Sequence, residues 1–211
     1  MNRCVIIGAS PDSDINTIKD RISKDDYIVC ADGGYVYAQK AGISPDLIVG
    51  DFDSCALPQE TDTELIALPC EKDDTDTMYC VKLCLLRGYR SFLLLGMTGG
   101  REDHSYANLC TLLYLHNRGA EAAIIDSNTE ISVISGEISI NNKKGSIFSI
   151  FPFGCNECCV TLVGFKYELR HGILSSEFPL GVSNEIISDS TKVTVHSGTA
   201  LIMIEDHSKN L

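Results

Sequence analysis

From residue 3 to about 126, short apolar runs alternate with longer stretches in which apolar residues return every three or four positions. That alternation predicts βαβ units and a mostly parallel sheet. The apolar runs predict strands over 4–7, 27–30, 47–49, 65–68, 92–95 and 122–125, with helices filling the gaps. Over 75–87, Met78, Val81 and Leu85 share one stripe; Asp and Thr open the segment and Gly88 stops it, so both ends satisfy the capping rules. A second helix is predicted over 103–118, where Tyr106, Leu109, Cys110 and Leu113 align before Gly119. After Asp126 the helical spacing disappears. Short β-rich stretches at 130–134, 146–151, 159–163, 192–195 and 201–204, punctuated by Gly, Asn and Ser, suggest a small antiparallel sandwich or barrel. The boundary falls near 127–132, giving expected domains 1–128 and 129–211.

Composition narrows the class. With 211 residues, 44% of them hydrophobic, the chain can bury a sizeable core in one large or two small domains. A formal net charge of -12 argues against a nucleic-acid partner, which calls for a basic face. Any polyphosphate ligand must therefore bring metal or meet a few local cations. No run of about 18 apolar residues exists to cross a bilayer, and the opening apolar stretch reaches Pro11 and Asp12 too soon for a signal-peptide core. A cytoplasmic protein without a membrane partner is expected. The ten cysteines then read as reduced thiols. Cys4, Cys30, Cys80, Cys84 and Cys110 lie in apolar runs and are expected in the core. Cys155, Cys158 and Cys159 include a C-x-x-C spacing that can hold half of a zinc site, but no second pair accompanies it.

The candidate chemistry gathers where the pattern puts strand C-terminal ends, the place where ligands bind in open parallel sheets. In Gly50-Asp51-Phe52-Asp53-Ser54 two carboxylates two residues apart follow an apolar run. If the run is a strand, both point the same way, and a hard divalent cation relieves their repulsion. Mg²⁺ takes one or two carboxylates and completes its shell with water and phosphate oxygens, so the spacing suggests phosphate chemistry; a solvated acidic turn is the plain alternative. Asp32-Gly33-Gly34 follows the strand ending at Cys30, and its glycines permit close backbone approach by a ligand. Lys72-Asp73-Asp74-Thr75-Asp76 opens a helix; its carboxylates can be caps, or Asp73 or Asp76 can reach the cation of Asp51 and Asp53. The loop from Gly96 through Thr98, Gly99 and Gly100 to Arg101 offers backbone N–H groups and a guanidinium to a phosphate, followed by Asp103 and His104. It is neither a Walker A loop nor a G-x-G-x-x-G fingerprint. Ser183-Asn184-Glu185, between apolar stretches, reads as a turn.

In this order, Asp32-Gly33-Gly34, Pro45-Asp46 leading into Gly50–Ser54, Lys72-Asp73 with Thr75-Asp76, Gly100-Arg101 with Asp103, His104 and Asn108, and Ser183-Asn184-Glu185 resemble the thiamine pyrophosphokinase family over residues 30–204. The resemblance implies transfer of a diphosphate from ATP to the hydroxyethyl group of thiamine, giving thiamine diphosphate and AMP. It implies a Rossmann-like, mostly parallel α/β domain for ATP and Mg²⁺, a C-terminal antiparallel β-sandwich for thiamine, and a homodimer with active sites between subunits. By matching position, Asp51, Asp53 and Asp73 would be the metal carboxylates, and either Asp103 or Asp73 is a candidate base. Asp32, Gly33, Lys72, Thr98, Gly99, Gly100, Arg101 and His104 would meet ATP, and Asp76, Asn108, Ser183 and Asn184 would meet thiamine. Some family members pack a Trp against thiamine; this chain has none, so another aromatic fills that place or the pocket is more open. Two other readings stay open: a Mg²⁺-dependent phosphohydrolase, and a non-catalytic nucleotide or thiamine binder.

Overall fold

The computed structural model describes residues 3–51, 63–69, 71 and 73–206, so Asp53 and Lys72 of the predicted site lie outside the described residues. The chain has a mixed α/β fold and divides into two units, Met1–Ser127 and Asn128–Leu211.

The first unit runs β1 (Cys4–Ile7), α1 (Ile15–Arg21), β2 (Tyr27–Ala31), α2 (Gly34–Lys40), β3 (Leu47–Gly50), β4 (Glu64–Ala67), α3 (Asp76–Leu86), β5 (Ser91–Leu95), α4 (Glu102–His116) and β6 (Glu121–Asp126). Its strands lie in the order β6-β5-β1-β2-β3-β4, and each neighbouring pair is parallel. Every residue of β1 and β3 is buried, which explains why they read as continuous apolar runs rather than alternating ones. The chain steps from β1 outward to β4 and then returns to β5 on the other side of β1. The loops leaving β1 and β5 thus diverge, and a crevice opens at their C-terminal ends.

Local signals explain the helix limits. The Asp14 carboxylate accepts from the N–H groups of Asn16 and Thr17 and starts α1. The Thr75 hydroxyl accepts from Met78 N–H and starts α3, while Gly88 (φ 95°) and Gly119 (φ 69°) follow α3 and α4 in the left-handed region. Before β2, Arg3 and Asp26 form a two-pronged pair at 3.0 and 2.7 Å. Burial raises the Asp26 carboxyl, but the Arg3 guanidinium and the Ser23 amide outweigh it and hold the group below the usual carboxylate range.

The second unit comprises β7 (Thr129–Asn141), β8 (Ile147–Pro152), β9 (Glu157–Val163), β10 (Leu169–Ser175), β11 (Asn184–Glu185) and β12 (Ser190–Glu205). All its pairings are antiparallel. The two stretches predicted at 192–195 and 201–204 are one strand, β12, because the polar interruption around Ser197 and Gly198 is a bulge rather than a turn. One edge of β12 runs along β7; the other pairs with β9 and then, past the bulge, with β8. Phe148 and Phe165, ring centroids 4.6 Å apart, anchor a core that also holds Ile150, Val160, Leu174 and Ile202. The predictions omit β10, whose Arg170, His171 and Gly172 break alternation at a second bulge, and Ser183-Asn184-Glu185 is not wholly a turn, since Asn184 and Glu185 pair with β8.

All eight described cysteines are unbridged, and Cys4, Cys30, Cys80, Cys84 and Cys158 are buried. Burial pushes the Cys30 thiol up to about 12, which leaves it protonated and inert. Cys110 is only half-buried, and the Cys155 thiol donates to the Thr199 carbonyl. No helix among the described residues is long and apolar enough to cross a membrane.

Candidate active site

A cleft of about 510 Å³ opens in the first unit where the loops leaving β1 and β5 part. Gly8, Ser10 and Pro11 form one wall, Ala31 and Asp32 the end of β2, and Thr75, Asp76 and Thr77 the start of α3. Gly96, Met97, Gly99, Gly100 and Arg101 form the opposite wall, with His104 and Asn108 of α4 behind them. The wall after β1 is the part that the sequence motifs did not single out. Its only signal is position, directly after a strand at the point where strand order reverses.

The glycine-rich loop is built differently from the open phosphate cradle expected of it. Asp126, at the end of β6, accepts from the N–H groups of Gly96 (2.6 Å), Met97 (2.9 Å) and Thr98 (2.7 Å) and from the Thr98 hydroxyl (2.7 Å). Gly99 N–H donates to the Ser105 hydroxyl at 3.1 Å, and Gly100 N–H to the Asp12 carboxylate at 3.0 Å. Gly99 and Gly100 take φ of 100° and 66°, and a Cβ on Gly100 would sit 2.6 Å from Pro11 Cγ. Glycine is therefore required where this loop crosses the chain leaving β1.

Two carboxylates line the cleft. Asp32 adopts the left-handed region at φ 47°, a strained conformation for a residue with a side chain. Its N–H donates to Val49 O at 2.7 Å, and a Cβ on Gly50 would lie 3.3 Å from Asp32 Oδ1. The carboxyl group therefore sits at the end of β3, beside the residue that precedes Asp51. Asp76, in the first turn of α3, faces the same cleft. Asp73 is exposed and not part of the lining, and Asp74 is engaged by Lys82 at 2.6 and 2.7 Å. Among the described residues no group of three or more His, Cys, Asp or Glu is arranged to hold a metal ion. Mg²⁺ needs fewer protein ligands, and the all-carboxylate donors at the ends of β2 and β3 match a hard cation that keeps water and phosphate oxygens in its shell.

Arg101 meets Asp103 through two bonds, Nε–Oδ1 at 3.1 Å and an Nη–Oδ2 contact at 2.6 Å, and both side chains are exposed. The guanidinium holds the Asp103 carboxyl below the usual range, and the carboxylate in turn raises Arg101. A carboxylate so stabilised is a weak proton acceptor at neutral pH. Asn108 Nδ2 donates to Met97 O at 2.8 Å, tying α4 to the loop. Of the predicted ATP contacts, Thr98 and Gly33 are not in the lining; the Thr98 hydroxyl and N–H are turned to Asp126.

In the second unit the Asn184 side chain is buried and spans both sides of one residue: its Oδ1 accepts from Tyr167 N–H at 3.0 Å and its Nδ2 donates to Tyr167 O at 2.8 Å. Tyr167 is fixed by this clamp while 64% exposed. Ser183, at φ 57°, immediately precedes Asn184 and is exposed.

Residues 18–124 match the family model described as thiamin pyrophosphokinase, catalytic domain, and residues 135–202 the model described as thiamin pyrophosphokinase, vitamin B1 binding domain. The chain belongs to the thiamin pyrophosphokinase family. The thiamine pyrophosphokinase of Bacillus subtilis is 31% identical over 180 residues, spanning 82% of this chain and 84% of that protein. Thiamin pyrophosphokinase 1 of Caenorhabditis elegans is 25% identical over 213 residues, 94% of this chain and 86% of its own. Among solved structures, the thiamin pyrophosphokinase of Geobacillus thermodenitrificans superposes with a TM-score of 0.83 at 26% identity, covering 99% of this chain and all (100%) of that one. The Bacillus subtilis crystal structure gives a TM-score of 0.84 at 23% identity, covering 98% and 100%.

Proposed function

We propose that this protein transfers the diphosphate of ATP to the hydroxyethyl oxygen of thiamine. The thiamine oxygen attacks the β-phosphorus, the bond from that phosphorus to the α–β bridging oxygen breaks, AMP leaves with that oxygen, and the hydroxyl proton passes to solvent or a nearby carboxylate. The observation that carries this reading is the cleft at the strand-order reversal, with Asp32 and Asp76 on one side and a glycine loop ending in Arg101 on the other. Such transfers depend on positioning and on neutralising phosphate charge. Arg101 supplies a planar, bidentate cation once Asp103 yields it to a phosphate. Asp51 and Asp53 would hold Mg²⁺, with Asp32 beside them; Asp73, exposed and outside the cleft lining, is not placed to complete the set expected from the resemblance. The ion would neutralise charge on the diphosphate and orient it.

The first unit is read as the Rossmann-like, mostly parallel ATP and Mg²⁺ domain, and the second as the antiparallel β-sandwich that receives thiamine. Ser183 and the clamped Tyr167 are the thiamine-facing groups of this reading, with Tyr167 taking the part that a Trp plays in some family members. Asn184 acts through Tyr167, because its own amide is occupied. Phe178, Leu180 and Val182 are 66%, 57% and 53% exposed immediately before Ser183. Large apolar side chains in one exposed run favour coverage by a second copy, which supports the homodimer with shared sites. The unbridged thiols of the eight described cysteines fit the reducing cytoplasm.

Incubation with ATP, Mg²⁺ and thiamine, followed by mass spectrometry, is expected to give AMP and thiamine diphosphate in equal amounts, and AMP only when thiamine is present. Release of inorganic phosphate without thiamine would instead establish hydrolysis, and binding without product a non-catalytic protein. Tyr167→Ala is expected to raise the thiamine KM about tenfold, the scale of one lost aromatic contact, with the ATP KM unchanged. An unaltered thiamine KM removes Tyr167 from the site.

A further inference from the structure

The loop Gly96-Met97-Thr98 has every backbone group engaged. Its three N–H groups donate to Asp126. Its three carbonyls accept from Ser10 N–H (3.1 Å), from Asn108 Nδ2 (2.8 Å) and from the Ser10 hydroxyl. Successive N–H groups converging on one point form the kind of concavity that binds anions. Here the anion belongs to the chain itself. The Asp126 carboxylate makes four hydrogen bonds there, one of them from the Thr98 side chain.

We infer that Asp126 is a positioning residue for nucleotide binding: it fills the concavity from behind, so that phosphate enters only at the next step of the loop. That step consists of Gly100 N–H and the Arg101 guanidinium. In this structure both are engaged by carboxylates, Asp12 at 3.0 Å and Asp103 at 2.6 Å. The Asp12 and Asp103 contacts are single-point or exposed and exchangeable for phosphate oxygens. The Asp126 contact is four-fold and half-buried, and it stays. The division explains why one loop carries both fixed and replaceable anion sites. Asp126 never touches substrate; it acts by fixing the directions of Gly100 N–H and Arg101. The inference rests on the cleft being the ATP site.

The test uses the full chain with Asp126→Asn, which keeps the side-chain shape but sets an NH₂ donor against N–H donors, and Asp126→Ala. Hydrogen exchange should show the amides of residues 96–98 protected in the wild type and exposed in both variants, with the β-sheet amides unchanged. Calorimetry should show ATP binding weakened about tenfold or more, as for a mispositioned binding group, with thiamine affinity within about twofold. Formate, a carboxylate small enough for the space vacated in Asp126→Ala, should restore both protection and ATP affinity. Unchanged protection at 96–98, or unchanged ATP affinity in a variant whose loop has opened, overturns the inference. Equal loss of ATP and thiamine binding with general loss of protection also overturns it, because that marks a purely structural role. If the wild type binds no ATP, the assignment of the cleft fails and the positioning role with it, whereas ATP binding by the wild type unaffected by either variant defeats the Asp126 role alone.

Discussion

Asp51→Asn is expected to lower turnover by about 100-fold or more at saturating Mg²⁺, equivalent to about 2.7 kcal/mol of lost transition-state stabilisation. The expectation follows from where β3 ends. Gly50 is the last residue of that parallel strand, and the carboxyl group of Asp32 packs over it. Asp51 follows directly, next to the Asp32 carboxylate at the rim of the cleft rather than in its lining, and in the proposed reading the charge of the pair would draw a divalent cation to the diphosphate. Asparagine preserves size and one oxygen but removes the charge, so the fold should persist while the ion is held less tightly. The diagnostic measurement is a Mg²⁺ titration of kcat for both proteins. A midpoint moved to higher Mg²⁺ together with a lowered plateau supports metal ligation. Wild-type turnover at all Mg²⁺ concentrations shows that Asp51 carries no part of the reaction.

How much of this was legible in the sequence depends on the distance over which each signal acts. The strand 4–7 and the helix beginning after Thr75 were readable because burial on both faces and capping by a hydroxyl three residues away are local facts. Asp32 and the Gly96–Arg101 loop were readable because strand ends concentrate ligand groups in any parallel sheet. Asp126 was not, since its four bonds join residues 28 to 30 positions away and three of them go to backbone amides, which no side-chain pattern displays. The same holds for Asp12, which reaches Gly100 across 88 positions. In the second unit, bulges at His171 and near Ser197 broke the two-residue alternation, so β10 was missed and β12 was divided. The clamp of Asn184 on Tyr167 likewise depends on pairing across 17 positions. Sequence motifs thus located the groups facing the cleft better than the groups that hold them.

Gly34→Ala is expected to destabilise the protein by about 3 kcal/mol or more, the upper range for overpacking, and so to lower Tm by about 6–12 °C for a chain of this size. The pair Gly33-Gly34 permits a tight turn and close backbone approach, and the two glycines do different things. A Cβ on Gly34 would lie 2.8 Å from the Ile7 carbonyl carbon and closer still to its oxygen. These are backbone atoms at the end of β1, a strand with no exposed residue, so no side-chain rotation relieves the clash. Helix α2 begins at Gly34; the missing side chain lets its first turn rest directly on the sheet, as helix–strand packing at such turns requires. A shift of α2 would carry Asp32 and the Gly8 wall apart, and activity should fall with stability. Gly33→Ala is the control: its φ is an ordinary -57° and its Cβ would meet only the Ala9 methyl at 3.0 Å. The Ala9 methyl moves only with its backbone, but a shift of a few tenths of an ångström suffices, so a smaller loss of about 1 kcal/mol is expected there. Thermal unfolding of the two variants side by side decides the matter: equal Tm values would mean that α2 does not depend on the close approach at Gly34.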